Sequence, residues 1–188
     1  FETMKTPTHV AINYLLFSRL GMDKKYSKFF LLGGAMPDVP ICLAFATIFL
    51  WSEDLTNTVT VFRGLYESNV VLIGLHNIFH SPLSLLMMML FAFVAGPYKK
   101  QFEMFIAGCF IHSFIDIYTH VNDGPLMFWP FDLESRFTSR ISHWDPSYGG
   151  EFVLIAEVCI LITTLSLLYY QRYLKPVWGM YGRILKNN

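Results

Sequence analysis

Three long apolar runs set the terms for this chain. Residues 70–96, 102–121 and 152–170 are each long enough, at about 1.5 Å of helical rise per residue, to cross or nearly cross a hydrocarbon layer about 30 Å thick. A fourth run, 29–51, is interrupted by Pro37-Asp38-Val39-Pro40. Composition agrees: only 15% of residues are charged, against about 25% in an ordinary soluble domain, and the mean hydropathy is +0.42. The expected fold is all-α: a polytopic integral membrane bundle of about four to five membrane-embedded helices. A long interfacial loop completes a single domain over residues 4–188.

The segments between the runs add detail. Phe1-Glu2-Thr3 reads as an expression remnant ahead of Met4, and no basic, apolar leader pattern follows. Thr6-Pro7-Thr8-His9 looks like a helix start, with Thr8 capping an amphipathic helix over 8–20. Pro82 is expected to kink or restart the helix after His80, because it lacks a backbone donor and crowds the preceding turn. Residues 122–150 form the longest stretch without an apolar run, and a loop of that length in a small protein is usually functional. Cys42, Cys109 and Cys159 lack C-x-x-C spacing and read as small buried hydrophobes. A net charge of zero gives no reason to expect nucleic acid as a partner.

Polar residues inside these runs need a reason to be there. IHSFIDIYTH, residues 111–120, carries His112, Asp116 and His120 at steps of four, which places all three on one helical face. His76 and His80 repeat that spacing on a second segment, Asp38 sits between two prolines, and His9 opens the first helix. Ionisable groups within membrane segments cost roughly 3 kcal/mol each even on lenient scales, and metal coordination offsets that cost. A lone histidine on an apolar face is most often a hydrogen-bonded core residue; a set spread over at least four segments favours a metal. Imidazole with carboxylate suits zinc, manganese or iron, and the absence of thiolates argues against a structural zinc cage. The candidate ligands are His9, Asp38, His76, His80, His112, Asp116 and His120, enough for two ions about 3.5–4 Å apart with Asp116 bridging them. His76-Asn77-Ile78-Phe79-His80 lacks the glutamate of a zincin motif.

Further candidates lie in the loop. Arg136 and Arg140, at i and i+4, read either as a clamp for a lipid phosphate or as a solvated helix face beside interfacial aromatics. His143-Trp144-Asp145 offers His143 and Asp145 as a general acid/base pair, as late ligands, or as surface hydrogen-bonding groups. Glu157, within the last run, reads as structural, and Gly33-Gly34 as a site of close packing or a turn.

Pro7-Thr8-His9, Gly34-Ala35-Met36-Pro37-Asp38, His76-x-x-x-His80-Ser81, His112-x-x-x-Asp116-x-x-x-His120 and Trp129-Pro130-Phe131 occur in that order. Together they resemble the bacterial and archaeal family of membrane-bound, metal-dependent hydrolases that includes the LexA-regulated YdjM inner-membrane type, over most of residues 6–150. The resemblance implies a metal-dependent hydrolase in a prokaryotic inner membrane. The ligand order is more distantly similar to zinc-dependent phospholipase C and P1-type nuclease, which cleave phosphodiesters at three zinc ions. That similarity implies His9, Asp38, His76 or His80, His112, Asp116 and His120 as ligands. This chain lacks the amino-terminal tryptophan ligand of those families, and lacks their late histidine–carboxylate pair unless His143 with Asp145 or Glu151 replaces it. Two ions are therefore expected. Asp116, His143, Asp145, Arg136 and Arg140 are the candidate catalytic residues, and a phosphoester of a membrane lipid or lipid-linked molecule is the expected substrate. The alternative is a metal-ion transporter or sensor built on the same cluster.

Charge bias gives an orientation. Lys24, Lys25 and Lys28 follow the first helix, Lys99 and Lys100 follow the segment ending at Gly96, and Arg172, Lys175, Arg183 and Lys186 follow the last helix. Alternate crossings put all three clusters on one side, which the positive-inside rule makes cytoplasmic. The ligand candidates and the 122–150 loop then face away from the cytoplasm. A single cysteine at position 135, in a background without the native thiols, is expected to react with an impermeant maleimide from the non-cytoplasmic side; labelling from the cytoplasm contradicts this orientation.

Overall fold

The computed structural model describes residues 6–94, 96–143 and 145–175; Met4, Trp144, Arg183 and Lys186 lie outside them. The described chain forms α1 (Thr6–Leu20), α2 (Ser27–Ala35), α3 (Val39–Ser52), α4 (Leu55–Ser68), α5 (Val70–Ile78), α6 (Pro82–Phe91), α7 (Lys99–Thr119) and α8 (Gly150–Tyr169). It contains no strand, only an isolated bridge between Leu126 and Arg136. Lys24–Ser52, Gly96–Thr119 and Gly150–Leu174 are each long and apolar enough to span a membrane. Val70–Ile78 and Pro82–Val94 make a fourth, broken span bent by 56°. The expected membrane helical bundle is what forms.

The bundle is built around the approach of α2 to α7. The two run side by side in the same direction, with Gly33 against Gly108 and Cys109. A Cβ on Gly33 collides with the Phe105 carbonyl, and one on Gly108 collides with the Phe30 carbonyl. Small residues that let helix backbones touch are the usual solution where lipid removes the hydrophobic drive for association. α1 runs antiparallel to both. Its buried Asn13 donates to the Phe30 carbonyl at 3.0 Å and the Gly108 carbonyl at 3.2 Å, tying the three helices together. Phe17, Phe30 and Met104 fill the space towards the lysine-bearing ends. α6 packs antiparallel on α7 through Leu85, Ala92, Ile106 and Cys109.

α8 packs against α1 and leaves Phe152, Ile155, Ile162 and Leu165 exposed; Leu43, Leu50 and Trp51 do the same on α3. So many outward apolar side chains suit lipid rather than water. Cys42 and Cys159 share these outer faces, so only Cys109 is the buried thiol the sequence suggested. α4 has no counterpart among the apolar runs: it turns Thr58 and Phe62, one helical turn apart, onto α3.

Three further expectations change. α1 starts two residues earlier than expected, so Thr8 is a fully buried helical residue and not a cap. Pro37 and Pro40 produce only a 3₁₀ turn over Met36–Asp38, and the chain continues into α3. Residues 136–141 are irregular, so Arg136 and Arg140 share no helical face.

The 120–149 segment is pinned to the bundle at several places. The Leu126 N–H donates to Asn77 Oδ1 at 2.9 Å, and the Leu83 N–H donates to the Met127 carbonyl at 3.3 Å. Asp132 closes the turn by accepting from the Glu134 and Ser135 amides. Ser139 and His143 satisfy the last carbonyls of α7, at Tyr118 and Thr119, and that of His120 just beyond it.

Gly108→Leu is expected to drive α2 and α7 apart, at an overpacking cost of about 1–3 kcal/mol. Thermal unfolding of the detergent-solubilised protein measures it, and an unchanged melting temperature contradicts the close-contact account.

Candidate metal centre

α7 supplies the middle of the site. His112 Nδ1 donates to the Gly34 carbonyl at 2.8 Å, a bond made possible by the close α2–α7 contact. That bond commits the ring proton to Nδ1 and turns Nε2 towards carboxylates, 3.2 Å from Asp116 Oδ2 and 3.4 Å from Asp38 Oδ1. His9 comes from α1 and stacks on His112 with ring centroids 3.7 Å apart. Its Nε2 lies 3.1 Å from Asp116 Oδ1. Asp38, at the 3₁₀ turn between α2 and α3, accepts from the Thr6 hydroxyl at 2.7 Å.

The break between α5 and α6 brings the second pair. His76 Nε2 lies 2.7 Å from His80 Nδ1, and His80 Nε2 lies 2.8 Å from Asp116 Oδ2. The backbone groups freed by the break are taken up by serines: Ser84 donates to the Ile78 carbonyl at 2.7 Å and Ser113 to the His80 carbonyl. The bent segment therefore carries few unpaired polar groups at membrane depth.

His120 corrects the three-on-one-face expectation. α7 ends at Thr119, and His120 has extended backbone. Its ring still reaches the cluster, with Nε2 3.9 Å from Asp116 Oδ1 and Nδ1 3.1 Å from Asp123 Oδ1. The other six candidate ligands thus gather around Asp116, and all seven are buried.

The donor set fits a divalent cation. His9 Nε2, His112 Nε2 and Asp116 Oδ1 are buried and converge without hydrogen-bond geometry. Single ligand atoms from His9, His112 and Asp116 all lie within 4.8 Å of one another. With its proton held at Nδ1, His112 presents a lone pair to two carboxylates, an arrangement that needs a cation or a second ring proton between them. Fixing the outer ring nitrogen on a backbone carbonyl is the common way proteins orient metal-binding histidines.

Beside the cluster lies a narrow pocket of about 10 Å³, lined among others by Asp38, Tyr66, His76, His80, Asp116 and His120. That is about the space one water occupies. Asp123, whose side chain is 43% exposed, stands at its rim. Tyr66 was invisible to the ligand search: it follows Thr58 and Phe62 at i+4 steps on α4, and its ring meets His76 edge-on at 5.6 Å. Burial pushes the Tyr66 phenol up to about 12. Asp123 was missed too, although its place three residues after His120 was the available signal.

The loop candidates lie further out. His143 donates from Nδ1 to the Thr119 carbonyl at 2.9 Å and packs on His120 at 4.2 Å between centroids. Burial, with the neighbouring His120, holds His143 below the ordinary imidazole range. Asp145 accepts from the Ser147 amide at 2.8 Å, capping the turn Pro146–Tyr148. Arg136 donates to the Gly124 carbonyl in the pocket wall, and Arg140 is exposed.

Comparison with curated proteins and with solved structures finds no match to this chain. The profile of one family, described as YdjM inner membrane protein, matches residues 4–177. With that match covering nearly the whole chain, and apolar helices able to span a bilayer, this integral membrane protein belongs to the YdjM inner membrane protein family.

Proposed function

We propose that this protein is a membrane-embedded, metal-dependent hydrolase acting on a phosphoester of a lipid or lipid-linked substrate at the non-cytoplasmic face. The observation that carries the reading is Asp116, ringed by the Nε2 atoms of His9, His80, His112 and His120 within 3.9 Å. Asp38 and His76 complete the set. Two divalent ions, zinc with manganese or iron as alternatives, would be held by these seven residues. They would supply Lewis acidity and lower the pKa of a water at the site.

The chain's own groups do the rest. Gly34 fixes the His112 ring, Thr6 holds one oxygen of Asp38, and Asp123 orients His120. Asp116, between the imidazoles, would be a ligand to both ions. Depth supports a site that meets lipid headgroups rather than a midplane transport site. Asp116 lies 17 residues beyond Lys99, or about 26 Å of helical rise, most of the way across a core about 30 Å thick. Phe128, Phe131, Leu133 and Phe137 are exposed on the adjoining loop, where amphipathic and aromatic groups suit the headgroup level. Arg136, bonded to the Gly124 carbonyl in the pocket wall, and the exposed Arg140 remain candidates for headgroup contact, and His143, packed on His120, with Asp145 for proton transfer.

The full chain purified without chelators and reloaded with zinc or manganese is expected to carry about two ions per protein. Asp116→Ala should lose most of them, and with them at least a hundredfold of its rate on a panel of lipid phosphoesters, since a catalytic ion contributes several kcal/mol to the barrier. If neither wild type nor variant retains metal, the metal centre fails. Retained metal, no hydrolysis and metal flux in liposomes would replace the hydrolase with a carrier.

A further inference from the structure

The ligand candidates around Asp116 fall into two groups that differ in their access to the surface. The inner group is His9, His112 and Asp116, from which single ligand atoms lie within 4.8 Å of one another. His9 and His112 stack between α1 and α7, both wholly buried, and neither lines the narrow pocket. α1 is held in place over them: Asn13, one turn after His9, donates to carbonyls of α2 and α7, and α8 packs against α1 as well. The outer group is Asp38, His76, His80 and His120, which line the narrow pocket together with Asp116 and Asp123. A first-row divalent ion, with ligands about 2.0–2.2 Å away, needs no more room than the water-sized space there. His76 Nδ1 is buried without a hydrogen-bond partner beside it. Asp123 also lines a larger hollow of about 210 Å³, shared with Asn122, Asp145 and Tyr148. Asn122 and Tyr148 are exposed, so this hollow reaches the surface, and its two carboxylates suit the passage of a cation.

We propose that the two ion positions are unequal: an inner ion on His9, His112 and Asp116 is locked inside the bundle, whereas an outer ion in the narrow pocket enters and leaves past Asp123. The inference rests on the two-ion reading above and divides its ligands between a permanent and an exchangeable site. Release of the outer ion asks only that His120 and Asp123 swing aside, and both stand on the irregular chain beyond the end of α7. Release of the inner ion asks α1 to part from α7, which breaks both Asn13 bonds and separates packed helices. Openings of a loop cost little free energy, while openings of packed helices approach the cost of global unfolding.

The test loads the full chain with zinc in detergent, adds excess EDTA, and follows the zinc left on the protein with time, with the melting temperature of each variant recorded beside it. Wild type is expected to lose one equivalent quickly and the second at least about a hundredfold more slowly, the gap between a loop opening and a helix separation. Asp123→Ala, which removes the carboxylate behind His120, should weaken the fast site about ten- to a hundredfold and leave the slow phase unchanged. Asn13→Ala, which touches no ligand, should hasten the slow phase about tenfold, the worth of two interhelical hydrogen bonds, and leave the fast one unchanged. Loss of both equivalents in one phase overturns the proposal, as does a single bound equivalent. So does either variant shifting both phases alike, whichever of the two variants folds well enough to be measured. Two zinc ions leaving in two phases, with no hydrolysis of any lipid phosphoester, would keep the unequal sites and remove the hydrolase. Hydrolysis by a protein whose two ions leave together would do the reverse, so the two readings fail separately.

Discussion

The contact of Gly33 with Gly108 is the constraint on which the rest of this molecule depends. Two helix backbones touch there because neither residue has a side chain. The Gly34 carbonyl comes within reach of His112 only because they do. Asn13 locks α1 onto the same crossing, and one helical turn back along α1 is His9. In water, burial of apolar area would supply much of the force that fixes such a register. Within lipid it falls to packing and to interhelical hydrogen bonds worth about 0.6 kcal/mol each on average. A register set by steric contact is then better defined than one set by area, and a cluster needing several ligand atoms to converge requires that definition.

The second consequence is electrostatic. Asp116 and Asp38 lie almost wholly out of water, and an isolated carboxylate moved into such surroundings costs several kcal/mol even after relaxation. The ordinary remedies are absent near them: no lysine or arginine pairs with either carboxylate among the described contacts, and imidazoles surround both. Neutral imidazole cannot balance two negative charges. Either some of the rings are protonated or a metal cation sits among them. On the proposed reading, two divalent ions exceed the charge of Asp38, Asp116 and Asp123 taken together. The surplus is positive, which favours an anionic guest such as a phosphoester over a neutral ester or amide.

What the sequence made legible follows from which physical terms are local. Apolar run length predicted the spans. Proline chemistry predicted the α5–α6 break at residues 79–81, and four-residue spacing predicted that His112 and Asp116 would share a face; His76 and His80 meet too, but across the break, because His80 lies beyond the end of α5. Helix ends were harder. His120 falls outside α7 because Ser139 and His143, about twenty residues away, take up the terminal carbonyls. α4 was hidden for a related reason: its packed face is a stripe of three residues, Thr58, Phe62 and Tyr66, and its other apolar residues, Leu55, Val59, Val61 and Leu65, are scattered among polar ones. Residues 136–141 looked helical by the spacing of two arginines alone, and the Leu126–Arg136 bridge, the Arg136 side chain on the Gly124 carbonyl and Ser139 on the Tyr118 and His120 carbonyls decided otherwise.

The interruptions of the helices share a purpose. The 3₁₀ turn at Met36–Asp38, the break at residues 79–81 and the end of α7 at His120 all fall beside Asp116. The last two free backbone groups that lipid cannot satisfy, and both are answered by nearby side chains: Ser84 and Ser113 at the break, Ser139 and His143 at the α7 terminus. An unbroken helix shows the layer one residue in every three or four along a face. A broken one can turn two imidazoles and a carboxylate from different rises towards a single point. Irregular backbone in a membrane persists where protein encloses it or where it lines a cavity, and here it does both. The location of the site was therefore written less in the histidines themselves than in the prolines and serines that let three helices bend or stop at the same depth.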